Sequence, residues 1–325
     1  MHLILIEACY SIQTFFPHAT DFGFFLDWNL LGQSTMQPML RNRSPDRPSP
    51  ALLNAVYMWG AHLAGDILTE DRFKYYAVHC AATDLLHSHL HPHSFLHTLQ
   101  AEVLLSHYFF RTGHFLEARS HTATAVALAL GGGLHQIRSL HNPDVPVIEI
   151  TREHENGLQL RAPADAIEEG ERINTFWAVF MLQKNLAVAL EPPARICGML
   201  EAGGIQIDTP WPLELDEYKK ASLTSNVQGD STVRNYLSQQ APSYQERTSL
   251  IAMNVKASHA VPKCFGMTGT WGSNDYQIGF LPCHEVPSAT IPGFCDIRVV
   301  KVFRRGSILK STTAPYNFVY IMLGY

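Results

Sequence analysis

The sequence predicts an all-α fold, an irregular multi-helix domain with antiparallel helix hairpins and a poorly defined C-terminal tail. Ile173, Phe176, Trp177, Phe180 and Met181 recur at helical spacings, which places them on one buried stripe of a helix. Glycine and proline also interrupt successive apolar runs at intervals typical of helix lengths. The 325 residues are enough for two domains or for one large helical domain.

The N-terminal part divides into aromatic-rich helical runs and a connector. Residues 3–31 predict one or two helices that break at Pro17 and Gly23, because proline lacks an amide donor and glycine favours turns. The segment RNRSPDRPSP at 41–50 is a proline-rich connector, and its Ser49 can cap the helix that follows. We expect those next helices over residues 51–65 and 70–90.

Two apolar stripes separated by Gly113 predict a helix hairpin. The first stripe consists of Leu96, Leu99, Val103, Leu104 and Tyr108. The second helix ends at the glycines 131–133, and its interior is expected to contain Phe115, Leu116, Ala118, Ala125, Val126 and Leu128. The small side chains of Ala118, Ala123 and Ala125 would let the two helices approach closely.

The helix that begins near Asp165 has the clearest start and stop signals. Its first turns contain Glu168, Glu169 and Glu171, and carboxylates favour the positive dipole end of a helix. The double proline at 192–193 ends it.

The stripe of this helix predicts that Trp177 is a buried anchor. Trp177→Ala should therefore lower the free energy of unfolding by about 3–5 kcal/mol. Asn174, Gln183 and Lys184 are expected to supply much of the polar face. Lys184→Ala should accordingly change that free energy by no more than roughly 0.5 kcal/mol.

Several stretches in the same order carry a family resemblance. EEGERINTFW (168–177), the double proline and IDTPWP (207–212) resemble the fungal transcription factor regulatory domain, the middle homology region of zinc-cluster transcription regulators. Further agreement lies in FFPHATDFGFFLD (15–27), RPSPALLNAVYMWGAHLAG (47–65) and LHTLQAEVLLSHYFFRTGHFLEARSHTATAVALALGGGLHQIRS (96–139). A weaker match continues through STVRNYL (231–237) and LIAMNVKASHA (250–260).

The resemblance implies a regulatory and interaction domain that takes part in RNA polymerase II transcription in a nucleus. Its implied partners are the transcription machinery or co-regulators, and a homodimer is also allowed. DNA would be bound only through the family's separate zinc-cluster module. The alternative is a helical protein-binding scaffold without a DNA role. An enzyme ranks third, since the chain has no DDxxD motif, no triad and no metal-ligand spacing.

The resemblance divides the chain into a domain over residues 1–262 and a divergent tail over 263–325. In the tail, DIRVVKVF and NFVYIMLGY have the β-branched and aromatic bias of strands. The match is lost abruptly after Ala260, which favours an altered C-terminus over an ordinary divergent tail.

The six cysteines do not resemble the family's zinc cluster. They lie at Cys9, Cys80, Cys197, Cys264, Cys283 and Cys295, and no pair has the C-x-x-C spacing of a zinc site. We expect reduced, dispersed thiols, no structural metal in this chain and no zinc-cluster module within it.

No catalytic, cofactor-binding or metal-binding residue is assigned. Successive side chains of the acidic helix start point around the helix instead of converging, and Arg172 is expected to neutralise one of them. Asp208 and Trp211 could line a small-molecule pocket, but an ordered capping loop is the preferred interpretation. The histidines of HSHLHPH (87–93) are interpreted as part of a solvated loop, and GGG (131–133) as a helix end. Cys283 with His284 is interpreted as an isolated pair.

The charge distribution argues against DNA binding by this chain alone. The formal net charge is −5, and six basic against three acidic residues in 263–325 leave −8 on residues 1–262. Such a body repels phosphate backbones. The apolar runs are also shorter than the ~18–20 residues that a membrane-spanning helix needs.

Overall fold

The computed structural model describes residues 2–27, 48–87, 92–140, 160, 162–190, 205–220, 229–238, 249, 251–256, 296–300 and 320–324. Its α-helices are α1 His2–Phe15, α2 Pro50–Ala64, α3 Ile67–His87, α4 Pro92–Arg111, α5 Phe115–Gly131, α6 Ala166–Leu190, α7 Leu215–Lys220 and α8 Thr232–Leu237. Residues 251–256 are also helical. Short 3₁₀ helices cover Phe16–Phe22 and Leu134–Gln136. The described body is helical, which confirms the predicted fold class.

The connection between α1 and α2 follows local sequence signals. The 3₁₀ helix after α1 ends at Gly23, which has a left-handed φ of 70°. Ser49 caps α2 as predicted, because its hydroxyl accepts a hydrogen bond from the Leu52 amide at 3.3 Å. At Gly60, a side-chain Cβ would lie 2.1 Å from the carbonyl oxygen of Ser11. Only glycine therefore lets α1 and α2 pack this closely.

Helix α4 lies at the centre of the domain. The predicted stripe is buried, but the polar residues Thr98, Gln100, Glu102 and Ser106 are buried as well. Several of these polar groups bond to neighbouring segments: Gln100 Oε1 accepts from the Phe25 amide at 2.7 Å, and Glu102 is 2.6 Å from His121 Nδ1. Because buried polar atoms need partners, these bonds fix the neighbours of α4.

Helix α5 differs from the sequence prediction. Ala118, Ala125 and Val126 are buried as expected. Phe115 and Leu116 are 45% and 78% exposed, so they do not fill the interior. Ala123 is also exposed. The buried stripe of α5 therefore begins at Ala118, about one turn later than predicted, although the Phe115 ring still contacts Phe110 of α4 with ring centres 5.7 Å apart.

Helix α6 is buried on more of its surface than the stripe predicts. Trp177 is fully buried, as expected, but Lys184 is only 1% exposed and Asn174 is 3% exposed. The prediction that these two residues form a solvated polar face is wrong. The amide of Asn174 donates to the Leu213 carbonyl at 3.1 Å, and Lys184 Nζ lies 5.5 Å from the Phe180 ring centre. The contact of Asn174 with the loop at Leu213 joins residues 39 positions apart, so the spacing of residues within α6 does not reveal it.

Two strands follow the helical body. Asp296–Val300 (β1) pairs antiparallel with Tyr320–Gly324 (β2), in a register that places Arg298 opposite Met322. Both strands fall within the two stretches predicted to favour strands. Other predictions concern residues outside the described ranges, namely most of the 41–50 connector, the double proline at 192–193, the histidine tract at 88–91 and the last four cysteines.

Candidate functional site

The acidic turn at the start of α6, residues 165–171, sends its carboxylates in separate directions. Glu168 Oε1 accepts from Arg172 Nη2 at 2.7 Å, so Arg172 neutralises one carboxylate as predicted. Glu169 forms a two-pronged ion pair with Arg138, at 2.6 Å to Nε and 2.8 Å to Nη2. Such paired geometry is the stronger form of the arginine–carboxylate bond. The carboxylates of the acidic turn therefore form separate ion pairs and do not converge on one site.

Glu171 is partly buried and bonds to a different part of the chain. Its Oε1 accepts a hydrogen bond from the backbone amide of Asp27 at 2.8 Å. The Asp27 side chain in turn forms an ion pair with Lys219 Nζ at 2.9 Å. Sequence reasoning missed Asp27 and Lys219 because their partners are far away in the chain. The only available signal was that Asp27 closes the stretch FFPHATDFGFFLD.

The electrostatic environment of the Glu171 carboxylate is unusual for a glutamate. Burial raises the pKa of Glu171 to about 7, and the nearby charges of Asp27, Glu168 and Asp165 act in the same direction. The hydrogen bond from the Asp27 amide opposes them and lowers it. The pKa of Lys219 is also raised above its ordinary value, because the hydrogen bond to Asp27 stabilises the charged ammonium.

Gly170 in the acidic turn is required by a neighbouring ring. A Cβ at this position would lie 2.4 Å from Cδ2 of Tyr218 on α7. The Tyr218 hydroxyl is fixed in turn, since it accepts a hydrogen bond from the Leu213 amide at 3.1 Å. The glycine of the EEGER string therefore has a packing role: it lets α7 lie directly on α6.

The loop 205–214, which contains IDTPWP, is hydrogen-bonded through Asp208 and Thr209 to two other parts of the chain. The Asp208 and Thr209 amides donate to the His135 carbonyl at 2.9 and 3.2 Å. Asp208 is fully buried, and its Oδ1 accepts from the Ser231 amide at 2.8 Å, while Oδ2 bonds to the Ser139 hydroxyl. Both carboxylate oxygens of Asp208 are therefore hydrogen-bonded within the protein. The loop caps the fold here, in line with the preferred interpretation.

Aromatic rings also pack loop 205–214 against α6. Trp177 stacks on Trp211 with ring centres 4.7 Å apart and planes at 20°. The Trp177 indole also donates to the Pro210 carbonyl at 2.7 Å. Lys256 Nζ lies 4.8 Å from the Trp211 ring centre and 5.2 Å from that of Tyr236. Such cation–π contacts add to the burial of the rings.

The metal-ligating side chains of the described residues are dispersed. Within these ranges, no group of three or more His, Cys, Asp or Glu side chains is placed to hold a metal ion. Cys9 and Cys80 are free thiols, and burial raises the pKa of Cys80 above its ordinary value, which makes its reactive thiolate scarcer. Every helix in the described part of the chain is too short or too polar to span a bilayer.

Comparison with known proteins assigns the chain to a family. It matches the family described as fungal specific transcription factor domain over residues 24–255. No curated protein and no solved structure matches the chain significantly. The matched range spans more than half of the chain and includes Asp27, the acidic turn and loop 205–214. The chain therefore belongs to the fungal-specific transcription factor domain family, which is a family of transcription factor domains and not of enzymes.

Proposed function

We propose that this chain is the regulatory and interaction domain of a transcription factor that controls RNA polymerase II genes in the nucleus. The observation that carries the proposal is the family match over residues 24–255. The net charge of −8 on residues 1–262 supports a role in protein contacts, because an acidic surface repels DNA. DNA binding would belong to a separate zinc-cluster module.

The mechanism that we infer is a shift between two packings of the helical body. Asp27, Arg138 and Tyr218 contact the first two turns of α6, and loop 205–214 contacts the middle of the same helix. A partner or ligand that favours one arrangement of these connections would move several distant segments together. Co-regulators that bind those segments would then detect the change.

The proposed function is tested by tethering the chain to an unrelated DNA-binding module upstream of a reporter gene in a fungal strain. We expect the fusion to change reporter transcript relative to the module alone. Fused Trp177→Ala, at matched protein level, should lose the effect because its fold is weakened. A stable fusion that enters the nucleus but leaves the transcript unchanged would contradict the proposal and favour the helical protein-binding scaffold.

We also propose that the isolated chain carries no structural zinc. Its cysteines lack the paired spacing that a four-ligand zinc site uses, so folding should not depend on metal. Elemental analysis of purified protein should find far less than one zinc ion per chain, and a chelator should leave the thermal unfolding midpoint unchanged. About two zinc ions per chain, with unfolding on chelation, would overturn this and restore direct DNA binding.

A further inference from the structure

Two of the side chains that attach the segment 24–27 to the helical body, Gln100 and Glu171, differ in chemistry. At one point, the neutral amide of Gln100 accepts from the Phe25 amide at 2.7 Å and donates to the Gly23 carbonyl at 3.2 Å. At the other, the Glu171 carboxylate accepts from the Asp27 amide at 2.8 Å. Only the second attachment can change its charge.

The charged attachment connects three parts of the chain. Asp27 is 6% exposed and lies between Glu171 of α6 and Lys219 of α7. Lys219 Nζ also lies 3.4 Å from Asp216 on its own helix. The titratable groups that act on Glu171 are Asp27 of the segment and Asp165 and Glu168 of α6. Of these, Asp27 and Glu168 are themselves paired, with Lys219 and Arg172.

We propose that residues 24–27 form a latch, held by Glu171 and by the Asp27–Lys219 ion pair, that loosens when Glu171 becomes negatively charged. Ionisation of Glu171 strengthens its bond to the Asp27 amide, but it also leaves a charge in a largely buried site next to the Asp27 carboxylate. Burial is the largest of these effects and repulsion by Asp27 adds to it, so ionisation destabilises the closed arrangement. A protonated Glu171 keeps an oxygen that accepts the Asp27 amide hydrogen and removes the repulsion. The biological role of the latch rests on the proposed function, in which the latch would be the part of the domain that is regulated.

The direction of the pH effect follows from linkage. Glu171 has a pKa raised to about 7 in the closed latch and an ordinary value, near 4.5, once the segment opens to solvent. The closed state therefore binds more protons than the open state. Its extra stability is fully present below the open-state pKa, near 4.5, and is lost as pH rises through the closed-state pKa, about 7. Between pH 6 and pH 8 the opening equilibrium should increase about tenfold.

The experiment measures hydrogen exchange of the Asp27 amide in the purified chain at pH 6 and pH 8, after correction for the intrinsic exchange rate. We expect about tenfold more opening at pH 8 in the wild type. Glu171→Gln keeps an acceptor oxygen but cannot ionise, so its opening should be equal at the two pH values. Gln100→Ala should increase opening of the Phe25 amide by the same factor at pH 6 and at pH 8, because the Gln100 amide carries no charge at either pH.

Amides in the middle of α2 serve as the reference for unfolding of the whole domain. A wild-type Asp27 amide with no corrected pH dependence, or a Glu171→Gln variant that keeps it, would overturn the proposal. So would an α2 reference that changes by the same factor as Asp27, because the opening would then be global. None of these outcomes involves transcription, so the latch and the proposed function can fail separately.

Discussion

Trp177→Ala is expected to lower the free energy of unfolding by about 3–5 kcal/mol, the range for removing a large buried aromatic side chain. Trp177 is fully buried and packs against the rings of Phe176, Phe180 and Trp211. Alanine would leave a cavity among these rings and would deprive the Pro210 carbonyl of its 2.7 Å donor. Such a loss is a large share of the ~5–15 kcal/mol that stabilises a typical domain.

Urea unfolding followed by circular dichroism measures this effect. The matched control is Asn185→Ala, since Asn185 lies on the same helix and is exposed. That variant should stay within roughly 0.5 kcal/mol of the parent, as is usual for surface positions. Equal midpoints for Trp177→Ala and the parent would show that the indole does not anchor the domain.

Gly170→Leu should be the second most damaging change, with a loss of about 3 kcal/mol, at the upper end of the overpacking range. The first added carbon already lies 2.4 Å from Cδ2 and 2.5 Å from Cγ of Tyr218. The ring cannot swing aside freely, because Tyr218 is 2% exposed and its hydroxyl is bonded to the Leu213 amide. Leucine is a good helix former, so intrinsic propensity does not explain a loss.

The control for this change is Gly131→Leu. Gly131 is the last residue of α5, and a Cβ there would meet no atom within 4 Å. The same substitution without a clash should leave stability unchanged or raise it slightly, since glycine is a poor helix residue. The steric role of Gly170 would be disproved if both variants unfolded at the same urea concentration.

Local patterns predicted those parts of the fold that depend on neighbouring residues. Ser49 was identifiable as a cap and Gly23 as a break because each acts on a backbone only a few residues away. The burial of Trp177 followed from helical spacing, and the two C-terminal strands followed from residue type. These features need no knowledge of which elements meet in space.

Long-range contacts account for what the sequence did not predict. Lys184 and Asn174 have polar side chains, but α6 is covered on several sides, so both are buried. Leu116 is apolar yet 78% exposed, so it lies outside the contacts that bury the rest of the α5 stripe. The partners Glu171 and Asp27 are 144 residues apart. No periodicity within one helix contains information about such a pairing.

The position of loop 205–214 in the chain has a consequence for protein synthesis. Chains fold as they leave the ribosome, N-terminal parts first. Helix α6 therefore emerges before the loop that covers Trp177, and hydrogen bonds such as that from Thr209 to Leu134 span 75 residues. Until the loop arrives, the aromatic side of α6 is uncovered on the nascent chain, and exposed apolar surface of this kind binds chaperones or aggregates. A ribosome that stalls between α6 and this loop would release a segment that is prone to aggregation, although every earlier helix had already been made.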